Sequence, residues 1–74
     1  MKERPLDHKI FFGLKVRQLR VEQQLSFADL SKRTGLSISY LNEIEKGKKF
    51  PKTDKIQILA EHLGTSVTEL TSKE

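Results

Sequence analysis

The alternation of hydrophobic and polar positions predicts a chain of short helices. The first helix is expected to begin after an N-cap at Asp7 and to end near Gln23 or Gln24. At about 100° per residue, three apolar side chains form its buried stripe: Phe12, Val16 and Leu19. A second apolar stripe points almost the opposite way: Ile10, Leu14 and Val21. A helix with two apolar sides is unexpected in a small bundle.

The segment 26–47 predicts two more helices, separated by a glycine turn. Ser26 and Asp29 have the spacing of a reciprocal capping box, Gly35 supplies a helix stop, and Ser37 can cap the next helix. The two helices are predicted at 27–34 and at 38–46, the second closed by Gly47. Two helices joined by such a turn define a helix-turn-helix unit.

Two further helices are predicted after a loop. One begins near Thr53 and ends at Gly64, with one buried face made of Ile56, Leu59, Ala60 and Leu63. Ser66 and Glu69 form another capping pattern, which predicts a last helix at 67–71. No strand-like alternation occurs, so the expected fold is all-α, a compact bundle of five helices. We expect a loose arm at residues 1–7, one domain at 8–71 and a frayed end at 72–74.

The composition narrows the class of protein. A chain of 74 residues has room for one small domain, whose marginal burial makes dimerisation worth considering. It has no cysteine, which excludes disulfides and thiolate metal sites. Its longest apolar run, Ile10–Phe12, is far too short to span a membrane. We therefore expect a cytoplasmic protein with no membrane partner.

The charge balance favours a nucleic-acid ligand. The net charge is +4 and the pI is near 9.6. Solubility alone could account for that excess. However, five lysines follow the third predicted helix closely: Lys46, Lys48, Lys49, Lys52 and Lys55.

The third predicted helix carries a short, mixed set of outward side chains: Ile38, Ser39, Asn42 and Glu43. Asn can pair with adenine, Glu can accept from the cytosine amino group, and Ile can contact a thymine methyl. Leu41 and Ile44, flanked by Tyr40, are expected to hold the helix to the bundle. The alternative is an ordinary exposed helix face.

Phosphate contacts are expected around this face, from the starts of helices two and three and from the lysine loop. The candidate residues are Ser26, Phe27, Ser37, Tyr40, Lys46, Lys48, Lys49 and Lys52. Each neutralised phosphate should add roughly 0.9 to the slope of log affinity against log salt.

Many positions together resemble the Cro/C1-type (XRE-family) helix-turn-helix domain. They are Val16-Arg17-Gln18-Leu19-Arg20, Leu25-Ser26, Leu30, Gly35-Leu36-Ser37, Tyr40-Leu41, Ile44-Glu45-Lys46-Gly47, Pro51, Leu59-Ala60, Leu63-Gly64 and 67–70. The resemblance covers about residues 10–70. It implies a lambda-repressor-like domain that binds double-stranded DNA, commonly as a homodimer on a palindromic operator, with helix three in the major groove. The function expected is that of a repressor-like transcriptional regulator.

The resemblance also implies roles for single residues. Arg20 and Glu45 would form a structural ion pair between helix one and the end of helix three, with Arg20 near the DNA backbone. The alternative is that both are solvated charges. After the helix-two cap the family often carries Gln, which helps to hold a phosphate, whereas this chain has Phe27. That ring could pack against the start of helix three or contact a sugar.

A second hypothesis is a helical protein-interaction module or an antitoxin-type partner-binding protein. The stripe of Ile10, Leu14 and Val21 could bind a partner or a second copy, or be covered by Leu6. Ile58, just off the core face of helix four, is another candidate dimer contact. Charge reversal at Lys48 and Lys49 separates the hypotheses, because only a DNA binder should lose affinity.

An enzyme is the least favoured interpretation. His8 and His62 are isolated, and neither has the spacing of a metal or nucleophile site. We expect no catalytic residue, no metal, no cofactor and no small-molecule substrate.

Overall fold

A computed structural model describes residues 7–72, which form five helices and no strand. The helices are α1 (His8–Glu22), α2 (Phe27–Thr34), α3 (Ile38–Glu45), α4 (Thr53–Leu63) and α5 (Val67–Thr71). The predicted all-α fold is therefore confirmed. Most of the predicted arm, including Leu6, and the last two residues of the predicted frayed end lie outside the described residues. No helix in the described part of the chain is both long and apolar enough to cross a membrane.

Side-chain caps begin four of these helices. At α2 the capping box is complete, since Ser26 Oγ accepts from the Asp29 amide at 2.9 Å and Asp29 Oδ2 accepts from the Ser26 amide at 3.0 Å. Asp7, Ser37 and Ser66 cap α1, α3 and α5. These caps satisfy amides that have no partner within the helix, which explains why the starts could be located from sequence.

The end of α1 differs slightly from the expectation. The helix stops at Glu22 because Gln24 adopts a left-handed conformation with φ of 58°. The Leu25 amide then bonds the Arg20 carbonyl at 3.0 Å, and the Gln24 amide bonds the Val21 carbonyl at 2.9 Å. The same pair of bonds ends α3, which stops at Glu45 and has Gly47 as its left-handed residue. α1 therefore ends in a motif that usually has glycine at the left-handed position, but here that position is occupied by Gln24.

The core lies where the five helices meet. Its buried apolar residues are Phe12, Val16, Leu25, Leu30, Leu36, Leu41, Ile44, Ile56, Leu59, Ala60, Leu63 and Leu70, with Leu19, Phe27, Tyr40 and Val67 packed against them. Every residue predicted for the inner faces of α1 and α4 belongs to this set. The buried core of residues 7–72 is made of apolar side chains. No buried polar side-chain atom in that range lacks a hydrogen-bond partner.

A glycine inside α1 determines how closely α3 approaches. A Cβ on Gly13 would lie 2.3 Å from the Ile44 carbonyl oxygen and 2.9 Å from that of Glu45. Contacts of that length do not occur, so only glycine fits this crossing. The last turn of α3 therefore rests directly on the backbone of α1.

Candidate nucleic-acid interface

The four predicted base-reading side chains share the outer side of α3. Ile38 and Ser39 are exposed, and Asn42 and Glu43 are partly exposed. Ile38 has 49% of its surface in solvent, so an aliphatic side chain is available on this face for contact with a ligand. Behind this face, Leu41 and Ile44 are fully buried. α3 is thus held by one side and presents a mixed polar and apolar surface on the other.

One lysine of the loop after α3 lies beside that surface. Lys49 Nζ lies 3.6 Å from Glu43 Oε1 and 5.9 Å from the centroid of the Tyr40 ring. Both members of the ion pair are well exposed, so its contribution to stability is small. The ring of Phe50 meets that of Phe12 edge-on at 5.1 Å between centroids, although Phe50 remains 44% exposed. This contact fixes the lysine loop to the bundle.

Arg20 and Glu45 form an ion pair with two hydrogen bonds, 2.7 Å from Nε and 3.0 Å from Nη2. Arg20 Nη1 also donates to the Leu25 carbonyl at 2.8 Å. The two side chains are only 13% and 5% exposed. The hydrogen bond to Glu45 raises the pKa of Arg20 above its ordinary value, in spite of burial. Arg20 is held within the protein, and its predicted phosphate contact stays a prediction.

Phe27 completes this arrangement. The Arg20 guanidinium lies over its ring, 4.2 Å from the centroid, a distance suited to a cation–π contact. Phe27 is half-buried and packs against the core. The ring therefore covers one face of the Arg20 guanidinium, a role that its position in the chain did not reveal.

The N-terminus of α2 already holds an anion. The backbone amide of Ser26, and then its hydroxyl, lower the pKa of Asp29, which is therefore charged at neutral pH. This carboxylate sits where a helix start would otherwise attract a phosphate. The Ser37 hydroxyl at the start of α3 accepts from the Tyr40 amide at 3.1 Å, with no acidic residue in that first turn. Of the two helix starts, that of α3 is therefore electrostatically more favourable to an anion.

The structure brings other groups to this interface. A surface cleft between α1, the start of α2 and the end of α3 is lined by Arg17, Arg20, Phe27, Asn42, Glu45 and Lys46. Arg17 was not among the predicted phosphate residues. Its position three residues before Arg20, on the same face of α1, was the signal that could have identified it.

The remaining predicted sites lie elsewhere. Ile10, Leu14 and Val21 are exposed, and Ile58 is half-buried on α4. His62 Nδ1 lies 2.9 Å from the Ile58 carbonyl oxygen, and His8 is exposed at the start of α1.

Comparisons with known proteins agree with this geometry. A family model described as a helix-turn-helix domain matches residues 12–72. The chain is 35% identical over 66 residues to the propionyl-CoA carboxylase regulator of Cereibacter sphaeroides, covering 89% of this chain and 14% of that protein. It is 32% identical over 56 residues to the HTH-type transcriptional regulator DdrOP3 of Deinococcus deserti, covering 76% and 43%. The chain thus spans less than half the length of either relative.

One solved structure resembles this chain over nearly the whole length of the solved protein. The restriction-modification controller protein C.AhdI from Aeromonas hydrophila matches with a TM-score of 0.78 and 33% identity. The match covers 82% of this chain and 92% of that one.

Proposed function

The chain belongs to the helix-turn-helix domain family, and we propose that it binds double-stranded DNA sequence-specifically as the reading domain of a transcriptional regulator. The observation that carries the proposal is the two-sided α3, with Leu41 and Ile44 fully buried and the opposite face open to solvent. A buried anchor behind an open, chemically mixed face is what a helix needs to enter the major groove in one orientation.

Within the groove, each exposed side chain of α3 has a different base partner. Asn42 can pair with an adenine edge, Glu43 can accept from a cytosine amino group, and Ile38 can contact a thymine methyl. Lys49 lies beside this face. Together with Lys48 and Lys52 of the same loop it can bind phosphates, which would fix register without reading sequence. Binding of this kind regulates by covering or flanking a promoter, and we infer no catalytic chemistry of its own.

We further propose that the protein acts as a homodimer, at least on DNA, at a palindromic site. One domain of this size reads only a few base pairs, and two copies about 34 Å apart would read successive turns of the same face of the duplex. The exposed apolar residues of α1 and Ile58 of α4 are the candidate contacts. We also propose that the protein is cytoplasmic, which a DNA ligand supports.

Selection of bound fragments from random duplex DNA at physiological salt tests the proposal directly. The enriched site, its symmetry and its half-site spacing report the reading residues and the dimer together. No enrichment over random DNA would refute sequence-specific binding.

A matched pair of variants then tests the role of α3. Asn42→Ala should cost roughly 1–3 kcal/mol at one base position of the selected site and relax the preference there. Gln57→Ala removes the same amide from the exposed side of α4 and should change nothing. Equal effects of the two substitutions would contradict the placement of α3 in the groove.

A further inference from the structure

The cleft between α1, the start of α2 and the end of α3 is lined by more positively charged side chains than are paired with a carboxylate there. Of the charged residues that line it, Arg20 and Glu45 neutralise each other through two hydrogen bonds. Arg17 and Lys46 are exposed, and neither forms an ion pair within residues 7–72. Two uncompensated cations therefore face one cleft of about 250 Å³.

The position of the cleft relates it to the proposed reading face. Asn42 lines the cleft and also belongs to the outward side of α3. Lys46 follows Asn42 by one helical turn, so the two side chains project from the same side of α3. A DNA duplex read by Asn42 would therefore bring its backbone past the mouth of the cleft.

The neighbouring helix start is poorly suited to that backbone. The first turn of α2 carries Phe27, which has no donor in its side chain, and the charged carboxylate of Asp29. A phosphate approaching α2 gains nothing from the Phe27 side chain and is repelled by Asp29. The positive charge that can attract a phosphate lies instead on Arg17 and Lys46, which line the neighbouring cleft.

Building on the proposed DNA-binding function, we infer that Arg17 and Lys46 together bind one backbone phosphate in this cleft. The guanidinium of Arg17 and the ammonium of Lys46 can both donate hydrogen bonds to phosphate oxygens. The Arg20–Glu45 pair lines the cleft without adding net charge, and Phe27 supplies an apolar wall that can contact the adjoining sugar. The contact positions the duplex and reads no base.

Salt titrations of two charge-matched double variants test the inference. Arg17→Gln with Lys46→Gln removes the cleft cations. Lys32→Gln with Arg33→Gln removes one lysine and one arginine from exposed positions in the last turn of α2. Affinity is measured for the selected site and for an unrelated duplex between about 50 and 200 mM salt. Circular dichroism checks that both variants are folded.

The cleft variant should bind both duplexes roughly tenfold more weakly and should reduce the salt slope by about 0.9, the value for one phosphate. The α2 variant should leave the slope unchanged. A slope change equal to that of the α2 variant, or one near 1.8 as for two separate phosphates, would overturn the shared site while leaving the proposed function intact. If the wild-type chain enriches no site and binds neither duplex, the proposed function fails, and this inference fails with it.

Discussion

Replacing Gly13 by alanine tests the crossing of α1 and α3 most severely. Judged by helix propensity alone, alanine should stabilise the interior of α1 by about 1 kcal/mol. The structure predicts the opposite sign, because the new methyl group would lie 2.3 Å from the Ile44 carbonyl oxygen. The neighbouring atoms are backbone, so they cannot rotate away as a flexible side chain would.

The size of the effect follows from the separation that the methyl group requires. Ordinary contact begins near 3.4 Å, so the two helices would have to move apart by about 1 Å. That movement loosens the packing of Phe12, Val16 and Leu41, each at most 2% exposed. Overpacking of this kind costs about 1–3 kcal/mol and occasionally more. Because the clashing atoms are backbone and the overlap is large, we take the upper end of that range, about 3 kcal/mol. Subtracting about 1 kcal/mol of propensity gain leaves a net loss of about 2 kcal/mol, or roughly 8–16 °C in melting temperature.

Thermal and urea unfolding followed by circular dichroism would measure the loss, with Gly64→Ala as the control. At Gly64 a Cβ meets no atom within 4 Å, and the only cost is its φ of 72°. A left-handed residue costs about 1–2 kcal/mol, so this variant should fall at the lower end of that range. Gly13→Ala is thus expected to destabilise the protein more than Gly64→Ala. This order is informative because backbone geometry alone predicts the reverse, since Gly13 is helical and Gly64 has a positive φ. A Gly13→Ala protein as stable as wild type would refute the close crossing.

The remaining predictions concern the ion pair, the end of α1 and the start of α2. Glu45→Gln should cost about 2–3 kcal/mol in urea unfolding, because it leaves the mostly buried Arg20 guanidinium without a charged partner, and a loss below 0.5 kcal/mol would argue against the pair. Gln24→Gly should stabilise by about 0.5–1 kcal/mol by relieving the left-handed φ, whereas Gln24→Ala should be neutral, and equal effects would exclude this explanation. The hydrogen bonds from Ser26 hold the pKa of Asp29 below its ordinary value, so the native state binds fewer protons than the unfolded chain and stability falls as the pH drops below about 4. Melting curves from pH 5 to pH 2.5 should therefore show a shallower acid decline for Asp29→Asn, and identical declines would show that the pKa shift does not affect stability.

The local signals in the sequence predicted the helices well. Serine caps and glycine stops act within one turn, and the apolar stripes of α1 and α4 follow from helical spacing alone, so neither depends on the rest of the fold. The exception was Gln24, since a glutamine carries no propensity for the left-handed conformation that ends α1. The structure requires that conformation because Leu25 must turn back into the core, where it is 7% exposed.

The contacts at the candidate interface depend on distant parts of the chain. The backbone of Gly13 is ordinary helix, so its own conformation does not require glycine. Glycine is required because a Cβ would collide with the carbonyl oxygens of residues 44 and 45. Arg20 and Glu45 are separated by 25 positions, so only the family resemblance implied their pairing. Phe27 was predicted to depart from the family pattern, but its stacking on Arg20 required knowledge of where α1 ends relative to α2.

These distant contacts explain how so short a helix can be oriented for reading DNA. An isolated helix of fewer than about 12–15 residues is marginal in water, and α3 has eight residues. Its last turn is held to α1 twice, by backbone contact at Gly13 and by the Arg20–Glu45 pair, while Leu41 and Ile44 anchor its inner side. None of these contacts uses the exposed side chains that face the proposed groove. The orientation of α3 and the identity of the proposed reading residues are therefore physically separate. Substitutions on the outer face should change the proposed base preference without weakening the contacts that hold α3 in place.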